Sequence, residues 1–263
     1  MSHFSAIGFP VTSYDELLNL GNRLLSTGTP ISVRGGNYVH CTTSSGAELW
    51  LQTNRKNELI GVHPHFAGQS TVRVGLTNSF SRPQSSPLDG SFHGWANPPE
   101  DDPTSGDYPF VFDAPNYLTY GRVKIPCEVR AQIAAFAEEI SVCNSVEEFN
   151  NSRTGNLKFA SQAFIPVGLF QAEQSPAVLP EALAFFSGHI KGCTKKINEV
   201  TELPFWHFEV DSFGGAFEVV ADPSIVEVEP RVGGVLSGTF WLSGRLTEYE
   251  QKQAGFFGRI FGR

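Results

Sequence analysis

The sequence predicts a strand-dominated α+β protein. An antiparallel sheet packed by one helix forms an N-terminal lobe, and a small OB-like β-barrel forms a C-terminal lobe. Three observations predict this. Short apolar runs bounded by turn residues recur along the chain. One early segment carries the start signal and apolar stripe of a helix. The composition is rich in Gly (26), Pro (17) and Phe (22) but has a single Met, and 17% charged residues is well under the usual quarter, a turn-rich and strand-rich profile. The organisation expected is a sheet lobe over 1–77, a Pro/Gly/Ser-rich packed loop over 78–107, a helix-supported barrel lobe over 108–250 and an amphipathic tail over 251–263.

In chain order, "FSAIGFPV" is expected to be a short buried strand. "TSYDELLNLGNRLLSTG" follows as the clearest helix, with Ser13 and Glu16 at capping-box spacing and Gly28 as a C-terminal cap. Tyr14, Leu17, Leu18, Leu24 and Leu25 fall on its apolar face. The runs "PISVRG", "NYVHCTT", "AELWLQT", "ELIGVHPHF" and "STVRVGL" are strands separated by turn chemistry, which makes residues 3–77 a strand, a helix and an antiparallel meander. That order is similar to the strand–helix–three-strand unit of metal-binding glyoxalase-type folds, a likeness of fold alone that implies no site residues.

Phe80, Phe92 and Trp95 give the 78–107 stretch something to pack with, which a flexible linker would not need. "YPFVFDA" and "YGRVKI" resume strand character. "PCEVRAQIAAFAEEI" is expected to be a second helix, with Pro126 in its first turn and Val129, Ile133, Phe136 and Ile140 as its stripe. Ser145 and Glu148 open a short helix, and "LPEALAFF" is expected to form another. "SGHIKGCTKKINE", "FWHFEVDSF", "AFEVVAD" and "GGVLSGTFWLSGRL" supply the barrel strands.

Side chains alternate across a strand, so parity assigns faces. In "GVHPHFAG", His63 and His65 share one face, opposite Val62 and Phe66. Glu48, Trp50 and Gln52 share a face on their strand, Arg73 faces away from Val72 and Val74, and Tyr38 and His40 can join them. This polar, aromatic surface is the candidate site. Glu48, Trp50, His63, His65, Arg73 and Trp95 are the candidate ligand-binding residues, because two imidazoles, an arginine and aromatic walls suit a small polar ligand. The alternative is a divalent transition metal held by His40, Glu48, His63 and His65. Pro64 removes a ladder donor and so marks an edge strand or a strand end. His207, beside Glu209 and Asp211, is a candidate acid/base group, and Ser237, Thr239, Trp241, Ser243 and Arg245 form a polar face of their own.

Net charge is −8, with no long Lys/Arg run, which makes nucleic acid an unlikely partner. Cys41, Cys127, Cys143 and Cys193 have no CxxC spacing and are expected as free thiols. The start "MSHFSAIGFPV" has no signal-peptide pattern, and no run is long enough for a transmembrane segment, so the expected location is cytoplasmic. Phe256, Phe257, Ile260 and Phe261 in the tail share a helical face suited to partner docking, including homo-oligomer contacts. The expected function is a non-catalytic binding or assembly module for a small polar ligand or another protein, with no cofactor. A metal-dependent enzyme centred on His63 and His65 is the alternative.

Overall fold

The computed structural model describes residues 2–83, 85–152, 159–173 and 178–247. Its first element corrects the sequence reading. "FSAIGFPV" is buried but not a strand: Ser5–Ile7 form a 3-10 turn, closed by Gly8 at φ +78°. The Asn198 amide group donates to the Ile7 carbonyl and the Thr201 hydroxyl to that of Gly8, so side chains rather than a partner strand satisfy this backbone. The likeness to a strand–helix–three-strand unit loses its first strand.

Helix α1 (Tyr14–Leu24) forms where the sequence places it. Ser13 Oγ accepts from the Glu16 amide, and the Glu16 carboxylate reaches back to the Thr12 N–H and hydroxyl. Leu20 is buried, with Leu17, Leu24 and Leu25 packed beside it; Tyr14, expected on the same stripe, is 69% exposed. Gly21 sits where the helix meets the sheet below, and a Cβ there would lie 2.5 Å from Leu59 Cδ2. The helix caps at Leu25, three residues before the predicted Gly28.

Under α1 lies a four-stranded antiparallel sheet in the order β1 (Thr29–Val33), β2 (Gly36–Thr42), β3 (Ala47–Asn54), β4 (Leu59–Phe66). Val39, Leu49, Leu51 and Phe66 belong to the same buried cluster as Leu20. β4 is an edge of this sheet, as Pro64 requires.

The fifth predicted strand leaves the meander. β5 (Val72–Phe80) pairs with β6 (Ser91–Ala96) and β8 (Cys127–Cys143) in a nine-stranded mixed sheet, completed by β7 (Pro109–Asp113), β9 (Ala163–Ile165), β10 (Leu183–Ile197), β11 (Pro204–Ser212), β12 (Gly215–Ala221) and β13 (Val235–Leu246). The packed stretch 78–107 therefore contains a strand, and Phe92 on β6 is in the core. Two short helices, α2 (Val146–Asn151) and α3 (Val167–Glu173), sit among the later strands, and Ser145 caps α2 through the Glu148 amide.

Two further helix expectations fail. The helix predicted over 126–140 is replaced by one 17-residue strand, Cys127–Cys143. Val129, Ala131, Ile133 and Ala135 face one core, while Ala134 and Phe136 face another. The period is therefore two, and a register shift opposite Thr239 and Phe240 returns Ile140 and Val142 to the first face. The alanines favour helix locally, but pairing with β13 from Ala131 to Cys143 overrides that preference. "LPEALAFF" is extended as well, since Leu183 opens β10 between β13 and β9. "YGRVKI" is not a strand; Tyr117–Tyr120 form a 3-10 turn before it.

β8 and β13 organise the large sheet. With β10, β11 and β12 they close a five-stranded ring in which β12 and β8 run parallel. On their other halves, β5, β6 and β7 close a second ring onto the same pair. One aromatic core runs through both: Tyr108 stacks on Phe164 at 4.0 Å, and Phe186 on Phe240 at 4.0 Å. No helix among the described residues is long and apolar enough to cross a membrane.

Candidate functional site between the sheets

Register now fixes what parity suggested. His40 lies opposite Trp50, Trp50 opposite His63, Glu48 opposite His65 and Tyr38 opposite Gln52, so all of these share one face. That face is not solvated. Tyr38, Glu48, Trp50, Gln52 and His65 are all buried. What covers the Glu48–His63 part of it is the polar face of β13: Trp241 meets His63 (ring centroids 5.0 Å), Ser243 meets His65 and Arg245 meets Glu48. Two polar sheet faces satisfy one another.

The inner half of the interface is closed. Arg245 donates to both Glu48 oxygens at 2.9 Å and lies over the Trp50 ring. Trp50 Nε1 donates to the same carboxylate at 3.2 Å, and His40 Nε2 stands 3.0 Å from it, off the line of a well-formed hydrogen bond, while its ring stacks on Trp50. Burial opposes ionisation of Glu48, but His40 and the Arg245 charge outweigh it and hold the carboxyl down to about 2. Burial also pushes the pKa of His65 down to about 3, so the ring is neutral. Gln132 Oε1, 2.7 Å from Nε2, can only accept; Nε2 therefore carries the proton, and Nδ1 accepts from the Ser243 hydroxyl at 2.8 Å.

The outer half opens into a cavity of about 310 Å³, lined by His3, Phe4, Val62, His63, Pro64, Arg82, Ser85, Asp89, Ser91, Asp113 and Trp241. Its walls come from the 3-10 segment, β4, the β5–β6 connection, β7 and β13. Asp113 is the anchor: its carboxylate accepts from Arg82 Nη1 (2.8 Å), Ser91 Oγ (2.6 Å) and Trp241 Nε1 (2.8 Å). Asp89 is held by the Gln52 amide group and the Ser86 N–H. His63 donates from Nδ1 to the Pro64 carbonyl, which leaves Nε2 as an acceptor. Burial lowers the pKa of His63 and of His3, although Asp113 and Asp89 pull the first upward and Glu138 the second.

The sequence-predicted residues divide accordingly. His63 lines the cavity. Glu48, Trp50 and His65 are brought together, but buried inside the closed half rather than on an open ligand-binding surface. Arg73 and Trp95 do not join them, because β5 and β6 belong to the larger sheet. Arg73 makes a bidentate pair with Glu128 there, and Trp95 lies across from Gly75 and Pro109. For the metal alternative, no group of three His, Cys, Asp or Glu side chains able to hold an ion occurs among the described residues. Arg245 already occupies the Glu48 carboxylate that such a site would use. His207 pairs not with Glu209 or Asp211 but with Glu218 of the adjacent strand, at 2.6 Å. Glu218 also accepts from the Gln69 and Ser70 amides and is packed against Gly68, where a Cβ would lie 2.1 Å from its Cγ. The four cysteines are free. Phe256, Phe257, Ile260 and Phe261 lie outside the described residues.

Sequence reasoning missed His3, Arg82, Asp89 and Asp113. His3 sits in a segment that reads as a strand, and Arg82 and Asp89 in a stretch without periodicity. Trp241 carried the one usable signal, since its parity placed it with Ser243 and Arg245. No protein-family model matches the chain, and neither a curated protein nor a solved structure matches it.

Proposed function

We propose that the chain is a non-catalytic binding module that takes a small polar ligand in the cavity between its two sheets. The observation that carries this is the convergence of His63, Asp89, Arg82, Asp113 and Trp241 on one concave space while the rest of the interface is closed by mutual hydrogen bonds. Its size falls at the low end of small-molecule sites, and its mixture of aromatic walls and a few fixed polar groups is their usual chemistry. Asp113 holds the indole and the guanidinium in place, so the site is organised before a ligand arrives.

The test is a titration of full-length protein with small polar probes (imidazole, acetamide and glycerol), followed through the histidine ring nitrogens and the indole N–H signals by NMR. Shifts confined to the cavity residues His3, His63 and Trp241, and lost from Trp241 in His63→Ala, are the expected result. Silence of all three residues at millimolar concentrations of every probe would sink the proposal. Stoichiometric metal in protein purified without a tag would instead favour a metal-dependent enzyme.

A further inference from the structure

Resting on that reading of the cavity, we infer that its ligand is a planar nitrogen heterocycle bearing N–H donors, and that it binds by displacing the His3 ring from Trp241.

Three rings bound the space. The His3 imidazole lies on the Trp241 indole with centroids 4.4 Å apart and planes 3° from parallel, and His63 closes the same ring at 48°. Near-parallel stacking at this distance needs a flat occupant, and His3 is already a flat five-membered nitrogen ring in that position. Its tether is weak where it stacks. Among the described residues, the His3 ring is hydrogen-bonded to Glu138 alone, at 3.3 Å, between side chains 32% and 38% exposed. The firm anchors of the segment lie further on, at Ile7 and Gly8, where Asn198 and Thr201 hold the backbone. The His3 ring can thus leave while the 3-10 turn stays. The indole cannot: Nε1 is bonded to Asp113, and Phe136 packs against it at 5.0 Å.

The polarity of the walls sets the ring edge. With both imidazoles neutral, the lining carries the carboxylates of Asp89 and Asp113 against the one guanidinium of Arg82. Among the described residues each Asp89 oxygen has a single donor, and a carboxylate oxygen can take another. His63 Nε2 is a further acceptor. Among the described residues Arg82 gives three of its five N–H donors to Ser91, Asp113 and Pro180, so the spare acceptors of Asp89 and His63 outnumber its two remaining donors, which calls for a ring edge rich in amino or ring N–H groups, as on a purine or aminopyrimidine base.

Adenine is the probe, and myo-inositol, polar but not flat, is its control. Both are titrated into the full chain and into His3→Ala by calorimetry, with the His63 and Trp241 ring signals followed by NMR. Adenine is expected to bind wild type and to move both signals. His3→Ala is expected to bind it roughly three- to tenfold tighter, since an internal competitor for one stacking surface is gone. Trp241→Leu should lose about tenfold and Trp241→Phe should keep most of the affinity. An affinity unchanged or weakened in His3→Ala overturns displacement. Inositol moving the His63 signal while adenine stays silent overturns the heterocycle and leaves the cavity as a polar site. If neither probe moves His63 in either protein, both this inference and the binding function fall.

Discussion

The Ser243 hydroxyl donates to Nδ1 of His65 across 2.8 Å, joining β13 of the large sheet to the edge strand of the small one. Both side chains are fully buried. Two residues along each strand in one direction, Trp241 meets His63 at the cavity. In the other, Arg245 reaches the partner strand of His65 at Glu48. The bond marks the boundary between the half of the interface that is structural and the half that is open to a ligand.

The Glu48–Arg245 pair is predicted to be the most sensitive point of the fold. Removing one partner leaves the other charge in a dry interface, a change that typically destabilises by about 3–5 kcal/mol. Glu48→Gln should therefore shift the urea midpoint strongly. The double replacement Glu48→Leu with Arg245→Met should recover much of the loss. A single-variant effect under about 1 kcal/mol would show that water reaches the pair.

Acid should weaken the protein in two stages. The folded-state pKa of His65 lies at about 3 against an ordinary 6.5. Between these values the unfolded chain binds the extra proton, so stability falls as pH drops through this window. Glu48 adds a second loss between its ordinary 4.5 and about 2, again because the folded value is depressed. Denaturant midpoints recorded from pH 7 to pH 4 should decline, and His65→Gln should flatten the upper part of that slope. An unchanged slope in the variant would assign the acid sensitivity elsewhere.

How much of this was legible follows from what each feature depends on. The capping of α1 is local, and Ser13 with Glu16 announced it. The facing of His63, His65, Glu48 and Trp50 needs only strand alternation, and parity found it. That their face is buried needs a second face of matching polarity, Trp241, Ser243 and Arg245, 178 residues beyond His65 in the case of Ser243. Nothing local pairs the two. β8 was misread because its alanines suit a helix and its bulge near Glu138 brings Ile140 into line with Val129 at helical spacing. The pairing with β13 that decides the matter is again long-range.

Glu218 is predicted to fasten the turn between β4 and β5 to the large sheet. It is 2% exposed and accepts from His207 and from the Gln69 and Ser70 amides. Burial disfavours its charge, yet the His207 bond and the Ser70 amide hold the carboxyl down to about 2. Glu218→Ala strands three donors, at about 1–3 kcal/mol for a buried unsatisfied group. Hydrogen exchange at Gln69 and Ser70 should accelerate in the variant more than exchange in β13. Uniform acceleration everywhere would mean the carboxylate supports the whole fold rather than the turn.

Asp113 ties the stability of the interface to the readiness of the cavity. Its two oxygens accept from Arg82, Ser91 and Trp241, and an asparagine in its place would offer one carbonyl oxygen and no charge to the same three donors. Asp113→Asn should cost about 1–3 kcal/mol, since the guanidinium loses its ionic partner and one donor is left unmatched. The indole N–H signal of Trp241 should move and its exchange with water quicken. Ligand affinity should fall with it, because Trp241 is then held less firmly in the position a flat ring needs. The two effects separate by measurement: urea midpoints report the first, and titration well below the unfolding range reports the second. A variant that unfolds earlier yet binds as tightly as wild type would show that Asp113 serves the fold and leaves the cavity unaffected.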